Sequence, residues 1–365
     1  MTTKAIFSPI KVGQHQLQHR IVLAPLTRLR ATLEAVPTDL QTEYYEQRAS
    51  PGGLLIAEAT FISHYGGGFP QFPGIYTSQQ IEAWKKVTSA VHAKKGVIFL
   101  QIAHLGRAGS KQFHPNGEQV GSSSDVVIPG ENYMGPPFET PKPFTVKEIQ
   151  STIQDYRQAA LNAIEAGFDG VEVHAANGVL IDQFIDSSVN TRADEYGGSI
   201  QNRARFALEV LSSIVEAIGP DRVAIRFSPD GKMQGMGDAT PIETWSYLTT
   251  QIQNLFPELA YLHFIEARGD VYGETSNVHD SLTPYRSLWK GPFITSGGFS
   301  NSLEQAFQIA EQTGNLISFG RIFIANPDLP QRLLNGVPLT PYDRSTFYTH
   351  DAEGYTDYPN FSKHT

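Results

Sequence analysis

Short, continuously apolar runs rich in β-branched residues recur along the chain. Between them lie longer stretches whose apolar positions return every three or four residues. Eight of the short runs predict strands over 21–27, 54–60, 97–104, 170–175, 223–228, 261–266, 293–296 and 316–320. They are too short and too uniformly apolar for a sheet wetted on one face, so they read as parallel strands covered on both sides. The longer stretches predict helices. One opens at Ser78 with a capping hydroxyl, an early acid and late lysines; another opens at Thr145, with Glu148 at capping-box spacing and Gly167 at its end. Segments 201–218, 242–256 and 302–312 have the same character.

Eight β-then-α units in succession predict an α/β fold, a single closed (β/α)8 TIM barrel over 1–365, in preference to an open doubly wound sheet. Residues 7–20 read as an N-terminal hairpin closing the barrel floor. Two connections are unusually long, 105–144 after strand three and 268–291 after strand six. Both leave the carboxyl ends of strands, where this architecture builds its active sites.

Composition narrows the chemistry. At 365 residues the chain is long for one domain, but α/β barrels often reach that size. A net charge of −9 argues against a nucleic-acid or anionic-membrane partner. No cysteine is present, which excludes disulfides, zinc-thiolate sites and thiol catalysis. Residues 1–12 lack a long apolar run and the last residues are Ser362-Lys363-His364-Thr365, so neither a signal peptide, a membrane span nor a peroxisomal tail is expected. The expected setting is the cytoplasm.

The strand ends carry the candidate chemistry. They read Ala24-Pro25-Leu26-Thr27-Arg28, Gln101 followed by His104-Leu105-Gly106-Arg107, His174-Ala175-Ala176-Asn177, Arg226-Phe227-Ser228, Ser296-Gly297-Gly298 and Gly320-Arg321. Glycines let backbone N–H groups approach phosphate oxygens, and an arginine adds a charged fork. A lone Gly-Gly is more often a tight turn. Paired with Gly320-Arg321 on the next strand, Gly297-Gly298 reads as a phosphate site, in the usual place for this fold. An arginine inside the apolar strand Val-Ala-Ile-Arg226-Phe is poorly explained as a surface ion pair. A lone histidine on a strand is usually a satisfied core residue, but His174-x-x-Asn177 at a strand end favours catalysis.

Five segments then carry a family resemblance: APLTR (24–28), QIAHLGR (101–107), HAANG (174–178), NTRADEYGGSIQNRARF (190–206) and GYTDYP (354–359). In this order, along nearly the whole chain, they resemble the signature segments of the Old Yellow Enzymes. The resemblance implies an FMN-dependent oxidoreductase that takes hydride from NADPH or NADH and reduces activated alkenes by a ping-pong mechanism. Thr27, where one branch of that family has cysteine, resembles the classical branch. The resemblance implies that Pro25, Leu26 and Thr27 line one edge of a non-covalently held flavin, with the Thr27 hydroxyl tuning its potential. It places Gln101 on the pyrimidine edge, Arg226 near N1, and Ala59, Gly297, Gly298, Gly320 and Arg321 on the rest of the cofactor. His174 and Asn177 become the anchor for a substrate carbonyl or nitro oxygen. Phe69 and Tyr355 line the substrate side, and His104 and Arg107 are structural or cofactor-side residues. Small-molecule substrates are implied, with no metal, and a monomer or homodimer.

One position departs from the pattern. Family members usually carry a proton-donating tyrosine two residues after this asparagine, and here that residue is Val179. Valine donates no proton and leaves a roomier, drier pocket, which Ala103 widens further. One outcome is that water or another group protonates the substrate. The other is an FMN-dependent isomerase or desaturase of a specialised metabolite, the isomerase giving hydride and taking it back in a redox-neutral reaction. Two further classes are weighed, a cofactor-free sugar-phosphate barrel and a non-catalytic binding protein. The first would need a Schiff-base lysine or a carboxylate cluster on the strands, and neither is present. The second would have no use for an inward-facing Arg226 and Thr27.

Overall fold

The computed structural model describes residues 5–132, 135–267 and 281–361. Eight parallel strands form a closed barrel. We number them β1 (Ile21–Leu23), β2 (Leu54–Phe61), β3 (Val97–Ala103), β4 (Gly170–Ala175), β5 (Val223–Phe227), β6 (Tyr261–Ile265), β7 (Phe293–Ser296) and β8 (Leu316–Phe319). Closure is direct, with Val22 of β1 paired to Ser318 of β8. The expected strands are all present, several a residue or two shorter or longer. The large difference is β1, which stops at Leu23 instead of Thr27. Pro25 has no N–H for the ladder, so the chain leaves the sheet there.

Each strand is followed by helix: α1 (Asp39–Arg48), α2 (Ser78–Ala93), α3 (Val146–Glu165), α4 (Leu180–Ile185) with α5 (Ile200–Ile218), α6 (Pro241–Leu255), α7 (Thr283–Arg286), α8 (Leu303–Thr313), and α9 (Arg321–Ala325) with α10 (Leu329–Asn335). The Thr145–Glu148 capping box forms as expected, each side chain meeting the other's backbone N–H. At α2 the capping hydroxyl is Thr77, not Ser78, and Gln80 supplies the reciprocal amide. Ser78 is the first residue inside the helix.

The hairpin pairs Ile10–Val12 with His15–Leu17. Its Val12 and Leu17 pack with Val22, Ile56, Phe99, Ala224 and Ile294, the apolar lower layer of the barrel. Gly13 at its turn has φ 53°, and a Cβ there would stand 2.1 Å from the Asp221 carbonyl, so the floor closes against the foot of β5. Of the long connections, 105–144 folds into short helical turns and a two-residue parallel pair, Gly121–Ser122 with Lys142–Pro143. Residues 268–280 of the other lie outside the described residues.

Candidate active site

Above the apolar floor the barrel interior turns polar. Glu172 of β4 reaches across β5 to His263 of β6, whose Nδ1 lies 2.8 Å from Glu172 Oε2. The Gln101 amide nitrogen donates to the other carboxylate oxygen at 2.7 Å. Burial opposes charge on Glu172, but His263, Arg226 and Gln101 together hold it below the usual carboxylate range. Burial keeps His263 neutral. The pair is therefore a carboxylate accepting from a neutral imidazole, with Arg226 as the counter-charge. Arg226 also donates to Ser296 Oγ at 3.3 Å.

His174 lies opposite Arg226 in the ladder. It is 6% exposed, and its Nδ1 has no hydrogen-bond partner among the described residues. Burial, then the charge of Arg226, lowers its pKa to about 3, so it is a neutral ring at ordinary pH. β4 leaves the sheet at Ala175, and Asn177 and Gly178 both adopt left-handed backbone, with φ 59° and 78°. Asparagine tolerates that region better than most residues and glycine enters it freely. The two reversals bring the chain to Val179, the N-cap of α4.

Val179, Ala103 and Ala59 meet in one apolar cluster with Leu29, Phe61, Phe72 and Leu105, and Phe69 packs against it. A bulge makes this arrangement. The β2–β3 register shifts between Ala57 and Thr60. Glu58 is thereby sent toward α1, where Gln41 donates to it at 3.0 Å, while Ala59 joins the cluster.

At the other end, β7 runs into Gly297 and Gly298, with φ 116° and 81°. A Cβ on Gly297 would stand 3.2 Å from Glu266, and one on Gly320 would stand 3.1 Å from Leu26 Cδ2. Arg321 begins α9 directly behind Gly320. Adjacent strands thus present a backbone cradle with an arginine at its lip. Pro25 is buried, and Leu26 and Thr27 are half-buried beside it.

The structure therefore brings His174, Asn177, Val179, Ala103, Ala59 and Phe69 to one side of the barrel mouth. Arg226 is the ladder partner of His174, Gln101 pairs with Glu172 two residues earlier on that strand, and the glycines and Arg321 follow β7 and β8. Tyr355 lies apart from that cluster. It is fully buried, stacked on Tyr44 with centroids 4.3 Å apart, and flanked by Arg28 and Arg30. His104 packs edge-on against Phe144, and Arg107 donates to the carbonyls of Val126 and Gln234, which is structural work. Sequence reasoning missed Glu172 and His263. Their signal was present, a charged or titratable residue alternating within the apolar runs Gly-Val-Glu-Val-His and Tyr-Leu-His-Phe-Ile. Among the described residues no His, Asp or Glu group could hold a metal ion, and no helix is long and apolar enough to cross a membrane.

These residues fit a flavin mononucleotide. The cradle and Arg321 suit the phosphate, Gln101 and Arg226 suit a polar ring edge, and His174 Nδ1 is buried without a partner among the described residues. A barrel with such a mouth defines a flavin oxidoreductase. The profile of the NADH:flavin oxidoreductase / NADH oxidase family matches residues 5–340, and the chain belongs to that family, the Old Yellow Enzymes. It is 46% identical to 12-oxophytodienoate reductase 1 of Oryza sativa subsp. japonica over 355 residues, 97% of this chain and 92% of that protein. It is 47% identical to flavin oxidoreductase hxnT of Emericella nidulans, with 97% of each covered. Among solved structures, the Old Yellow Enzyme homologue from Zymomonas mobilis superimposes with TM-score 0.90 at 40% identity, covering 97% of this chain and 99% of that one. A morphinone reductase variant in complex with tetrahydroNAD gives 0.89 at 40% identity, covering 98% of each.

Proposed function

We propose that the protein reduces the C=C bond of α,β-unsaturated carbonyl compounds, holding FMN non-covalently and drawing on NADPH or NADH. When bound, FMN supplies the hydride that the alkene accepts. The chain's own residues do the rest. His174 and Asn177 converge on the carbonyl oxygen and hold it as negative charge develops there. Neutral donors in a buried site are effective at this because they need no reorganisation as the charge appears. Arg226 and Gln101 would hold the polar edge of the ring and offset charge there. Gly297, Gly298, Gly320 and Arg321 hold the phosphate, and Thr27 sits beside the ring. The observation carrying the reading is the buried, neutral, unpartnered His174, three residues before the left-handed Asn177 and paired in the ladder with Arg226.

The names of the relatives, 12-oxophytodienoate reductase and morphinone reductase, support reduction. Val179 favours a second reading, redox-neutral isomerisation, because no acid stands at the usual place. The purified yellow holoenzyme, incubated with NADPH and an enone, tests both. Equal amounts of NADPH consumed and saturated product formed support the first reading. Isomerised product with no net NADPH consumption overturns it.

A further inference from the structure

The turn carrying Asn177 is held from outside its own strand. Two consecutive left-handed residues leave two N–H groups with no ladder to take them, and buried N–H groups need partners. Asn177 N–H donates to Ser228 Oγ at 2.8 Å. Gly178 N–H donates to Asp182 Oδ2 at 2.9 Å. The Ser228 hydroxyl reaches the same Asp182 oxygen at 3.5 Å. Because Ser228 accepts from Asn177, its own proton is directed to Asp182, and the three contacts form one closed arrangement. Ser228 is 5% exposed and Asp182 1% exposed. Ser228 follows β5 and Asp182 lies in α4, so the clamp ties the turn after β4 to the neighbouring strand and to the helix beyond. Gly178 has no room to relax, since a Cβ there would stand 2.5 Å from Gln234 Cβ.

We propose that Ser228 is a positioning residue for Asn177, oriented by Asp182, and that this clamp sets the direction in which the Asn177 amide meets the substrate carbonyl. The inference rests on Asn177 being a carbonyl anchor. Burial pushes the Asp182 carboxyl well above the usual carboxylate range, which disfavours a negative charge beside the site. That matters, because a carboxylate here would oppose the charge that develops on the substrate oxygen.

A double-mutant cycle on the flavin-loaded enzyme tests this. Wild type, Ser228→Ala, Asn177→Ala and the double variant are compared by cyclohexenone affinity, read from the flavin spectrum, and by the rate of flavin reoxidation. Ser228→Ala is expected to weaken affinity and reoxidation roughly 5- to 10-fold, the size of one lost hydrogen bond. Added to Asn177→Ala it is expected to change nothing, and Ser228→Thr, which keeps the hydroxyl, is expected to restore most of the loss. If Ser228→Ala costs the same factor in both backgrounds, Ser228 serves the fold and the proposal falls. If Asn177→Ala alone leaves both readouts unchanged, the anchor assignment fails and takes this inference with it. Should Ser228→Ala not fold, Ser228→Cys keeps the volume, weakens the acceptor and enters the same cycle.

Discussion

At the scale of single residues, His174 and Val179 carry the most testable chemistry. His174→Ala or Asn177→Ala is expected to slow reoxidation of the flavin by an enone more than its reduction by NADPH, by about 10²–10³ for one lost donor. Stopped-flow traces of the two half-reactions read this directly. With its pKa near 3, His174 is already neutral well below pH 5, so the enone half-reaction should show no histidine ionisation between about pH 5 and 8. Val179 has no acid to give, and general-acid help is worth roughly 10²–10⁴ in rate. Val179→Tyr is therefore expected to accelerate net reduction of cyclohexenone, while Val179→Phe adds the ring without the acid. Equal rates for the two variants would assign the effect to pocket volume. His174 and Asn177 were legible as a candidate pair because a histidine and an asparagine stand three apart at a strand end. Ser228 and Asp182 were not legible. Their partners are backbone N–H groups of a turn whose handedness only the folded chain reveals.

At the scale of elements, the barrel strands were legible because both their faces are buried and most of their positions are apolar. Helices with a clear apolar stripe and a capping hydroxyl were legible too. α1 was not. Its sequence, Asp-Leu-Gln-Thr-Glu-Tyr-Tyr-Glu-Gln-Arg, buries Gln41, Tyr44, Tyr45 and Arg48, polar-headed side chains that periodicity does not count as core. The segments after β7 and β8 are proposed to hold the phosphate together, and a variant there should affect cofactor retention before catalysis. Arg321→Ala is expected to weaken FMN binding by about 1.5–3 kcal/mol, the worth of a charged hydrogen bond, or roughly 10- to 150-fold in Kd. Flavin retained after dialysis measures it, and unchanged affinity would remove Arg321 from the phosphate site.

At the scale of the whole molecule, the segment around 346–355 is bound to the barrel by buried arginines. Arg28 donates to the carbonyls of Phe347 and Gly354. Arg30 donates to those of Thr346, Phe347, Asp351 and Glu353, and Arg48 to those of Phe323, Ile324 and Tyr355. Neutral carbonyls and the Tyr44 and Tyr355 rings take the place of acids. Glu58 is a fully buried acid of this region, facing Gln41 and Tyr45 from α1, Arg28 from the loop after β1 and Tyr355 from the C-terminal segment. Burial raises its pKa to about 7. The folded state then holds this proton more tightly than the unfolded chain. Glu58 should therefore contribute most below about pH 4.5, and that contribution should be lost as pH rises through about 7, a change on the order of 3 kcal/mol. Glu58→Gln is expected to flatten the decline in thermal midpoint between pH 5 and 8. A variant declining as steeply as wild type would place the titration elsewhere.

The arginine contacts also set an order of events during synthesis. Arg28 and its acceptor Phe347 are 319 residues apart. At 5–20 residues per second, a ribosome takes roughly 15 to 65 seconds between making one and making the other. For that interval the guanidinium groups of Arg28 and Arg30 wait for the carbonyls of 346–354 that they bind in the folded chain. If Thr27 edges the flavin as proposed, that edge is completed only after residue 347 has emerged. Nascent chains stalled before residue 344 should leave the flavin unbound, and the yellow colour of this protein should appear after translation, not during it.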